Sequence, residues 1–325
     1  MNNNIIDGNN FKKIRVGISS CLLGLNVRFD GGHKKDPYIT STLGEYFEWV
    51  PVCPEVETGM GIPRESIRLK GESDQPRLIA QKSGKDHTNQ MNEYARNKIT
   101  ELSEPGISGY IVKKGSPTCG MWRVRVYNDK NMPSNSGTGL YAKILMESYP
   151  LLPVEEEGRL NDIRLRENFV ERVFTFNRLL DFLGHDPGPS EFIRFHSRHK
   201  LMLLAHSPAG LSKLGKIVSQ AGNEGASVRI KQYLHLFMSV MNTIASVKNH
   251  TNVLHHMAGY FKKLLSSQDK RELASLIDEY RNKYVPLVVP LTLINHHLRN
   301  YPVPWIQDQI YLNPYPRELL LRNSI

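Results

Sequence analysis

The 325-residue sequence has few cysteines, no long apolar run and no excess of acidic residues. Its three cysteines cannot form a closed set of disulfides, so a disulfide framework is excluded. No stretch approaches the roughly 20 apolar residues of a membrane-spanning helix. The start, "MNNNIIDGNNFKK", lacks the basic-then-apolar order of a secretory signal. The sequence predicts a soluble cytoplasmic protein with a loose N-terminal lead, in which thiols are free, catalytic or metal-bound.

The charge of the chain is basic. It carries 42 Lys and Arg residues against 32 Asp and Glu residues, a net charge of +10. Such a surplus favours an anionic partner, of which nucleic acid is the commonest large one. A high isoelectric point alone is also common among soluble proteins, so charge does not decide between the two.

The first part of the chain alternates short apolar runs with helical patterns, which predicts an α/β domain with a largely parallel sheet and covering helices. The strands are expected at "KIRVGIS" (13–19), "FEWVPV" (47–52) and "SGYIVK" (108–113). A helix capped by Asp86 should follow the second strand, and residues 128–139 read as a loop. After a final short strand, the domain is expected to span residues 1–160.

Residues 161–325 change to long amphipathic stretches and predict an all-helical second domain. One helix is expected over 191–208, beginning at a Ser190 cap and ending at Pro208. In the stretch 246–265, a helical projection gives one basic and one apolar side. The basic side carries Lys248, Asn252, His255, Gly259, Lys262 and Lys263. The apolar side carries Val253, Leu254, Met257, Phe261 and Leu264.

The three cysteines share one property despite their irregular spacing. Cys21, Cys53 and Cys119 each come after one of the three predicted strands. Loops at the carboxyl ends of parallel strands converge on one edge of the sheet, where ligands bind. Three separate buried core residues are the alternative, since free cysteine is commonly buried. Convergence on one crevice would instead make the thiols metal ligands.

Two kinds of metal site fit three thiolates with one coordination position left open. One is a catalytic zinc with a bound water, and the other is a 4Fe-4S cluster whose fourth iron has no protein ligand. An all-sulfur set drawn from distant loops favours the cluster, because soft thiolates suit iron-sulfur centres.

Polar residues flank these cysteines. Glu55 in "CPE" and Ser116 in "SPTC" are candidate catalytic side chains, since a carboxylate moves protons and a hydroxyl orients a leaving group. Four further residues are candidates for holding a polar substrate, with salt bridges or turn capping as the alternative: Arg28, Asp30, Arg64 and Lys113.

Three segments, "ISSCLLGLNVRFDGG", "VPVCPEVETGMGIPRE" and "VKKGSPTCG", resemble the signature segments of the thiouracil desulfidase family. The resemblance covers residues 13 to about 160. It implies an α/β domain in which Cys21, Cys53 and Cys119 hold a 4Fe-4S cluster. It also implies removal of sulfur from thiolated pyrimidines, with Glu55 and Ser116 as the catalytic side chains.

The second half is similar to a family of helical domains through "FHSRHKLMLLAHSP", "LHHMAGYFKKLL", "YRNKYVPLVVPLTLINHH" and "IYLNPYPREL". Proteins that join the two domains resemble bacterial desulfidases acting on 4-thiouridine within tRNA, and free thiolated pyrimidines remain a possible substrate. The resemblance implies that the helical part holds tRNA, through candidate contacts at Arg194, Arg198, Lys200, Lys248, His255, Lys262 and Lys263.

The expected reaction is non-redox: the C4=S group becomes C4=O, and sulfide is released. Two alternatives stay open at the level of sequence. One is a zinc-dependent hydrolase or deaminase acting on nucleobases. The other is a non-catalytic RNA-binding protein in which an iron-sulfur cluster acts as a sensor.

Overall fold

The computed structural model describes residues 12–103, 106–220 and 226–325, so the N-terminal lead up to residue 11 lies outside the described residues. The chain divides into two compact units. The first ends at Asn161 and the second begins at Asp162. Within the described ranges, no helix has both the length and the apolarity needed to cross a membrane.

The strands of the described residues all lie in the first unit and form two four-stranded sheets. In chain order they are β1 (Ile14–Ser19), β2 (Phe47–Val52), β3 (Ile67–Lys70), β4 (Arg77–Ala80), β5 (Tyr110–Val112), β6 (Val124–Tyr127), β7 (Pro133–Gly137) and β8 (Val154–Glu156).

The first sheet has the order β2-β1-β5-β8, and its strands are all parallel. Ile14 pairs with Phe47 and Ser19 with Val52, so β1 and β2 end side by side. The apolar side chains of β1 and β5 are almost entirely buried, as expected for the inner strands of a covered parallel sheet. The predicted α/β class and parallel sheet are confirmed.

The second sheet, with the order β4-β3-β6-β7, is mixed and was not expected. The prediction of a loop over 128–139 is wrong in part, because Pro133–Gly137 is a strand antiparallel to β6. Four of its five residues are exposed. Main-chain pairing, rather than an alternating apolar pattern, therefore defines this strand.

The helices of the first unit are α1 (Pro54–Glu57), α2 (Thr88–Ser103) and α3 (Leu140–Ser148). The Asp86 side chain accepts hydrogen bonds from the backbone N–H and hydroxyl of Thr88, in agreement with its predicted role at the start of α2. Helices α2 and α3 pack against each other.

The second unit is largely helical and contains no strand among its described residues, which confirms the all-α prediction. Its helices are α4 (Ile163–Gly184), α5 (Pro189–His206), α6 (Pro208–Val218), α7 (Ala226–Met241), α8 (Val247–Tyr260), α9 (Ser267–Arg281), α10 (Val288–Asn300) and α11 (Pro304–Gln307).

Two details of the helical predictions are wrong. Helix α5 is preceded by Gly188 rather than capped by Ser190, because Pro189 occupies the first helical turn. The apolar side predicted for 246–265 holds for Val253, Leu254, Met257 and Phe261, which are buried, whereas Leu264 is 42% exposed. Helix α8 ends at Tyr260, so its periodicity no longer applies at Leu264.

A buried polar network lies within the helical unit. The Glu171 Oε2 atom contacts His206 Nε2 at 2.8 Å, and the Tyr315 hydroxyl donates to Glu167 at 2.9 Å. Arg322 lies 3.6 Å from Glu171. Burial opposes ionisation of Glu171, but the neighbouring His206 and Arg322 lower its pKa to about 2. Burial and the charge of Glu171 raise the pKa of Glu167 to about 7.

Candidate active site

A cavity of about 240 Å³ opens at the carboxyl edge of the parallel sheet. The three cysteines of the chain all line it, together with Glu55 and Ser116. The thiols come from the ends of β1, β2 and β5, as the parallel topology requires. The geometry therefore brings together the residues that the sequence places after three different strands.

Local sequence fixes each thiol in its place. Cys21 lies in a single 3-10 turn, Ser20–Leu23, directly after β1. Cys53 is the N-cap of α1, where Pro54 starts the helix and Glu57 accepts from the Cys53 N–H at 2.8 Å. Cys119 lies in the loop that follows β5. This loop packs so closely against Gly139 that a Cβ atom there would lie 2.5 Å from the main chain of Thr118.

Burial dominates the electrostatics of the thiols. It raises the pKa of Cys21 to about 11, opposed by the nearby Lys113 ammonium. It raises the pKa of Cys119 to about 12, and the Glu55 carboxylate acts in the same direction. The pKa of Cys53 is also raised by burial. Charge on Cys53 acts on Cys21, and charge on Cys21 acts on Cys119, so the three sulfurs share one electrostatic environment.

A single zinc ion and a 4Fe-4S cluster require different arrangements of three thiol donors. Among the described residues, no group of three His, Cys, Asp or Glu side chains could hold a single metal ion. The ligands of one tetrahedral zinc would lie about 4 Å apart. Each thiolate of a 4Fe-4S cluster binds a different iron, so the sulfur ligands are farther apart than those of a single zinc ion. A donor set of three thiols that line one cavity has the soft, all-sulfur chemistry that such a cluster requires.

Glu55 is held by partners on both carboxylate oxygens. Arg64 forms an ion pair with its Oε2 atom, and Thr118 donates to its Oε1 atom at 2.8 Å. The Arg64 side chain is only 5% exposed, and its guanidinium also donates to the Val27 carbonyl at 3.0 Å. The Arg64 guanidinium thus donates within the protein, which is the salt-bridge arrangement that the sequence left open beside substrate binding.

Ser116 and Thr118 form a short hydroxyl chain beside Glu55. The two hydroxyl oxygens lie 2.9 Å apart, and the Ser116 Oγ atom is 3.5 Å from Glu55 Oε1. Ser116 also accepts from the N–H of Thr118 and of Cys119, at 3.2 and 3.1 Å. Sequence reasoning missed Thr118. Its position inside "SPTC", between a candidate catalytic serine and a thiol, was the only signal for it.

The remaining substrate candidates differ in their surroundings. Lys113 lines the cavity, but its ammonium pairs with Glu157. Arg28 also lines it and lies over the Phe29 ring at 5.5 Å. Asp30 does not line the cavity; it accepts from the Gly32 N–H at 3.0 Å and lies 3.5 Å from Arg28. Asp30 therefore has its hydrogen bond and its charged neighbour within the turn that carries Arg28.

The candidate RNA contacts lie in the second unit, on α5, on α8 and in the segment that follows α8. Six of them are exposed: Arg194, Lys200, Lys248, His255, Lys262 and Lys263. Arg198 is half-buried and pairs with Asp308 at 2.9 Å. The last two lysines follow the end of α8 rather than continuing its basic side.

Comparison with known proteins matches two family models. Residues 16–157 match the 2-thiouracil desulfurase family, and residues 200–316 match a domain family of unknown function, DUF1722. The chain belongs to the 2-thiouracil desulfurase family. The match spans the three cysteines, Glu55 and Ser116, and indicates an enzyme that acts on a thiolated uracil.

Two relatives are uncharacterised bacterial proteins. YbgA of Escherichia coli is 33% identical over 166 residues, which are 51% of this chain and 98% of that protein. YbbK of Bacillus subtilis is 30% identical over 154 residues, 45% of this chain and 97% of that protein. A solved structure, a [4Fe-4S]-dependent thiouracil desulfidase TudS, is 29% identical over 46% of this chain and 95% of its own, with a TM-score of 0.39.

Proposed function

We propose that this protein removes sulfur from 4-thiouridine in tRNA, converting it to uridine and releasing sulfide without net redox change. The atoms balance as C4=S plus water giving C4=O plus hydrogen sulfide. The observation that carries the proposal is the cavity of the first unit, which three thiols, Glu55 and Ser116 line together.

The proposed cofactor is a 4Fe-4S cluster held by Cys21, Cys53 and Cys119. The donor set supports it, since three thiols line one cavity and the chain has no fourth cysteine. When bound, the cluster would supply a soft Lewis-acidic iron with an open position, suited to a thiocarbonyl sulfur.

The side chains of the cavity supply the proton transfers. Glu55 accepts a proton from the water that adds to C4, because its carboxylate faces the thiol cavity. Arg64 and Thr118 fix the carboxylate from two sides, so it needs little reorganisation on reaction. Ser116, next to Thr118 and Glu55, donates a proton or a hydrogen bond as the C–S bond breaks.

The basic helical unit supports a macromolecular substrate. A free nucleobase would need only the first unit, whereas exposed cations on the second suit a polyanion. A thiolated base within folded RNA must be unstacked to enter a cavity, and a second binding unit would stabilise that exposed state.

The test is an anaerobic assay on purified 4-thiouridine-containing tRNA, with iron, labile sulfide and released sulfide measured on the same preparation. Loss of the 4-thiouridine absorbance with stoichiometric sulfide release is expected. Binding of tRNA without turnover would instead indicate a non-catalytic iron-sulfur RNA-binding protein. A colourless, zinc-loaded preparation that hydrolyses or deaminates nucleobases would support a zinc enzyme.

A further inference from the structure

A second cavity, of about 530 Å³, lies wholly within the helical unit. Its walls come from the first turn of α4, the start of α8, the end of α9 and the segment that follows α9. The Leu287 N–H donates to the Ile325 main-chain oxygen at 2.8 Å, which closes one side. This cavity shares no residue with the thiol site.

Three exposed cations line this cavity: Arg164, Lys248 and Lys283. None of them forms an ion pair in the parts of the chain that the structure describes. Among the lining residues Glu167 is the one acidic side chain, and it accepts a hydrogen bond from Tyr315. The side chains of the cavity therefore have a positive balance, and among the described residues no carboxylate side chain pairs with these cations, a combination that suits a phosphate group.

The backbone of Lys283 adds a second observation. Its φ is +64°, in the left-handed region that glycine or asparagine normally occupies at a helix C-terminus. The residue directly follows the C-cap of α9, Asn282. A lysine at this position is strained, and its side chain provides one of the three cations of the cavity.

The inner wall supplies a free hydrogen-bonding group. Tyr280 lines the cavity and is 2% exposed, and its hydroxyl has no hydrogen-bond partner within the described ranges. The start of α8, at Ser246 and Val247, lies in the same wall. The positive end of the helix dipole thus adds to the attraction for an anion.

The rim carries an aromatic ring. Tyr284 lines the cavity and is 79% exposed, the largest value among the exposed large hydrophobic side chains of the described residues. Beside it, Ile244 is 40% exposed. An uncovered ring next to unpaired cations is the arrangement on which proteins stack the bases of single-stranded nucleic acid.

From these contacts we infer that this cavity binds one unpaired nucleotide of RNA. Arg164, Lys248 and Lys283 hold the phosphate, Tyr284 stacks on the base, and the Tyr280 hydroxyl donates a hydrogen bond. The inference rests on the proposed function, since it names the site through which the helical unit holds tRNA outside the catalytic cavity. Among these residues, only Lys248 was a candidate RNA contact from the sequence.

The experiment measures binding of a fluorescent single-stranded oligouridylate, which contains no thiolated base, to the full-length protein and its variants. We expect Lys283→Gly and Lys248→Ala each to weaken binding and to reduce the slope of log K against log salt by about one. Tyr284→Ala should weaken it by roughly tenfold. Lys283→Gly relieves the left-handed strain, so its thermal midpoint should not fall, which separates lost binding from lost folding.

The matched control is Lys270→Ala, which removes one exposed lysine from α9 outside the cavity. It should bind the oligouridylate as the wild type does. Wild-type binding and salt slope in all three cavity variants would overturn the inference. Tyr284→Trp provides a local reporter, because stacking of a base should quench its fluorescence.

Inorganic phosphate and uridine monophosphate are tested as competitors. If either displaces the oligouridylate only at much higher concentration, the site binds RNA. Equal affinity for the small ligand would indicate a free-nucleotide site and overturn the RNA assignment. Turnover of free 2-thiouracil and of thiolated tRNA by the wild type is measured separately. Failure to turn over the thiolated tRNA would refute the proposed function, while the binding data would still decide on the cavity.

Discussion

The hydroxyl of Thr118 donates a 2.8 Å hydrogen bond to the carboxylate of Glu55, although the two residues are 63 positions apart in the sequence. Thr118 is fully buried, and its hydroxyl also lies 2.9 Å from that of Ser116. This bond links the loop that carries Cys119 to helix α1, whose N-cap is Cys53. The carboxylate orientation and the cysteine loop are therefore coupled.

Thr118→Val should lower kcat by more than tenfold, with a smaller change in KM, because the carboxylate loses one of its two fixing partners. Loss of a buried hydrogen bond should also cost about 1–3 kcal/mol of stability. Thr118→Ser retains the hydroxyl and should restore most of kcat. Kinetics on thiolated substrate and thermal midpoints check both variants, and equal rates for Val and Ser would contradict the positioning role.

Glu55→Gln should reduce turnover by about 10²- to 10⁴-fold, since an amide cannot accept the proton from water. The exchange preserves the shape of the side chain, so the iron content and visible absorbance should stay at wild-type levels. Glu48→Gln, at an exposed position of β2, is the matched control and should be fully active. Residual activity of Glu55→Gln near the wild-type rate would assign the base elsewhere.

Replacing Cys21, Cys53 or Cys119 singly by serine should remove most of the iron and the absorbance near 400 nm in an anaerobic preparation. The three thiols line one cavity, and a hard hydroxyl is a poor substitute for a soft thiolate. Iron and labile sulfide analysis measures the outcome. A variant that keeps a full complement of iron would show that its cysteine is not a ligand.

His199 makes the helical unit sensitive to acid. Burial lowers its pKa to about 3, and its Nε2 atom is buried without a partner among the described residues. Below about pH 6.5 this histidine is protonated in the unfolded chain, whereas in the folded chain it stays neutral down to about pH 3. Stability is therefore lost as the pH falls from about 6.5 towards 3, by about 1 kcal/mol per pH unit.

His199→Phe should reduce this slope, because it removes the titrating group while keeping the ring contact with Phe195, whose centroid lies 4.1 Å away. Urea midpoints measured from pH 7 to pH 4 check the difference. His255→Phe, at an exposed position of α8, is the control exchange. Equal slopes for wild type and His199→Phe would contradict the prediction.

Arg198 should contribute less to RNA binding than Lys200, two residues further along α5. Arg198 pairs with Asp308 at 2.9 Å, and Lys200 is exposed. Arg198→Ala is expected to change affinity for tRNA less than twofold, whereas Lys200→Ala should lower the salt dependence by about one phosphate contact. Titrations at several salt concentrations distinguish the two, and a larger effect at Arg198 would contradict the ranking.

Sequence pattern predicted the parallel sheet well because β1 and β2 are mainly apolar segments, each followed closely by a cysteine. The second sheet could not be predicted in the same way. Strands β3 and β4 have four residues each, and β7 is almost wholly exposed, so pairing partners rather than side-chain patterns define them. Local pattern carries no information about such partners.

In the candidate active site, too, some residues could be predicted from the sequence and others could not. Glu55 and Ser116 were recognisable because each lies within three residues of a cysteine. The ion pair of Glu55 with Arg64 and its hydrogen bond from Thr118 depend on how the loops close, which spacing does not show. The cavity at Lys283 and Tyr284 was missed because a strained backbone and an uncovered ring have no sequence signature.

The parallel pairing of β5 with β1 also bears on how the protein matures. Cys21 and Cys119 lie at the two ends of a long stretch of chain and come together only when β5 has joined the sheet beside β1. A nascent chain still on the ribosome with β5 unmade has two of the three thiols and no cavity to hold them. Loading of the proposed cofactor onto all three thiols must therefore follow translation of Cys119 and pairing of β5 with β1.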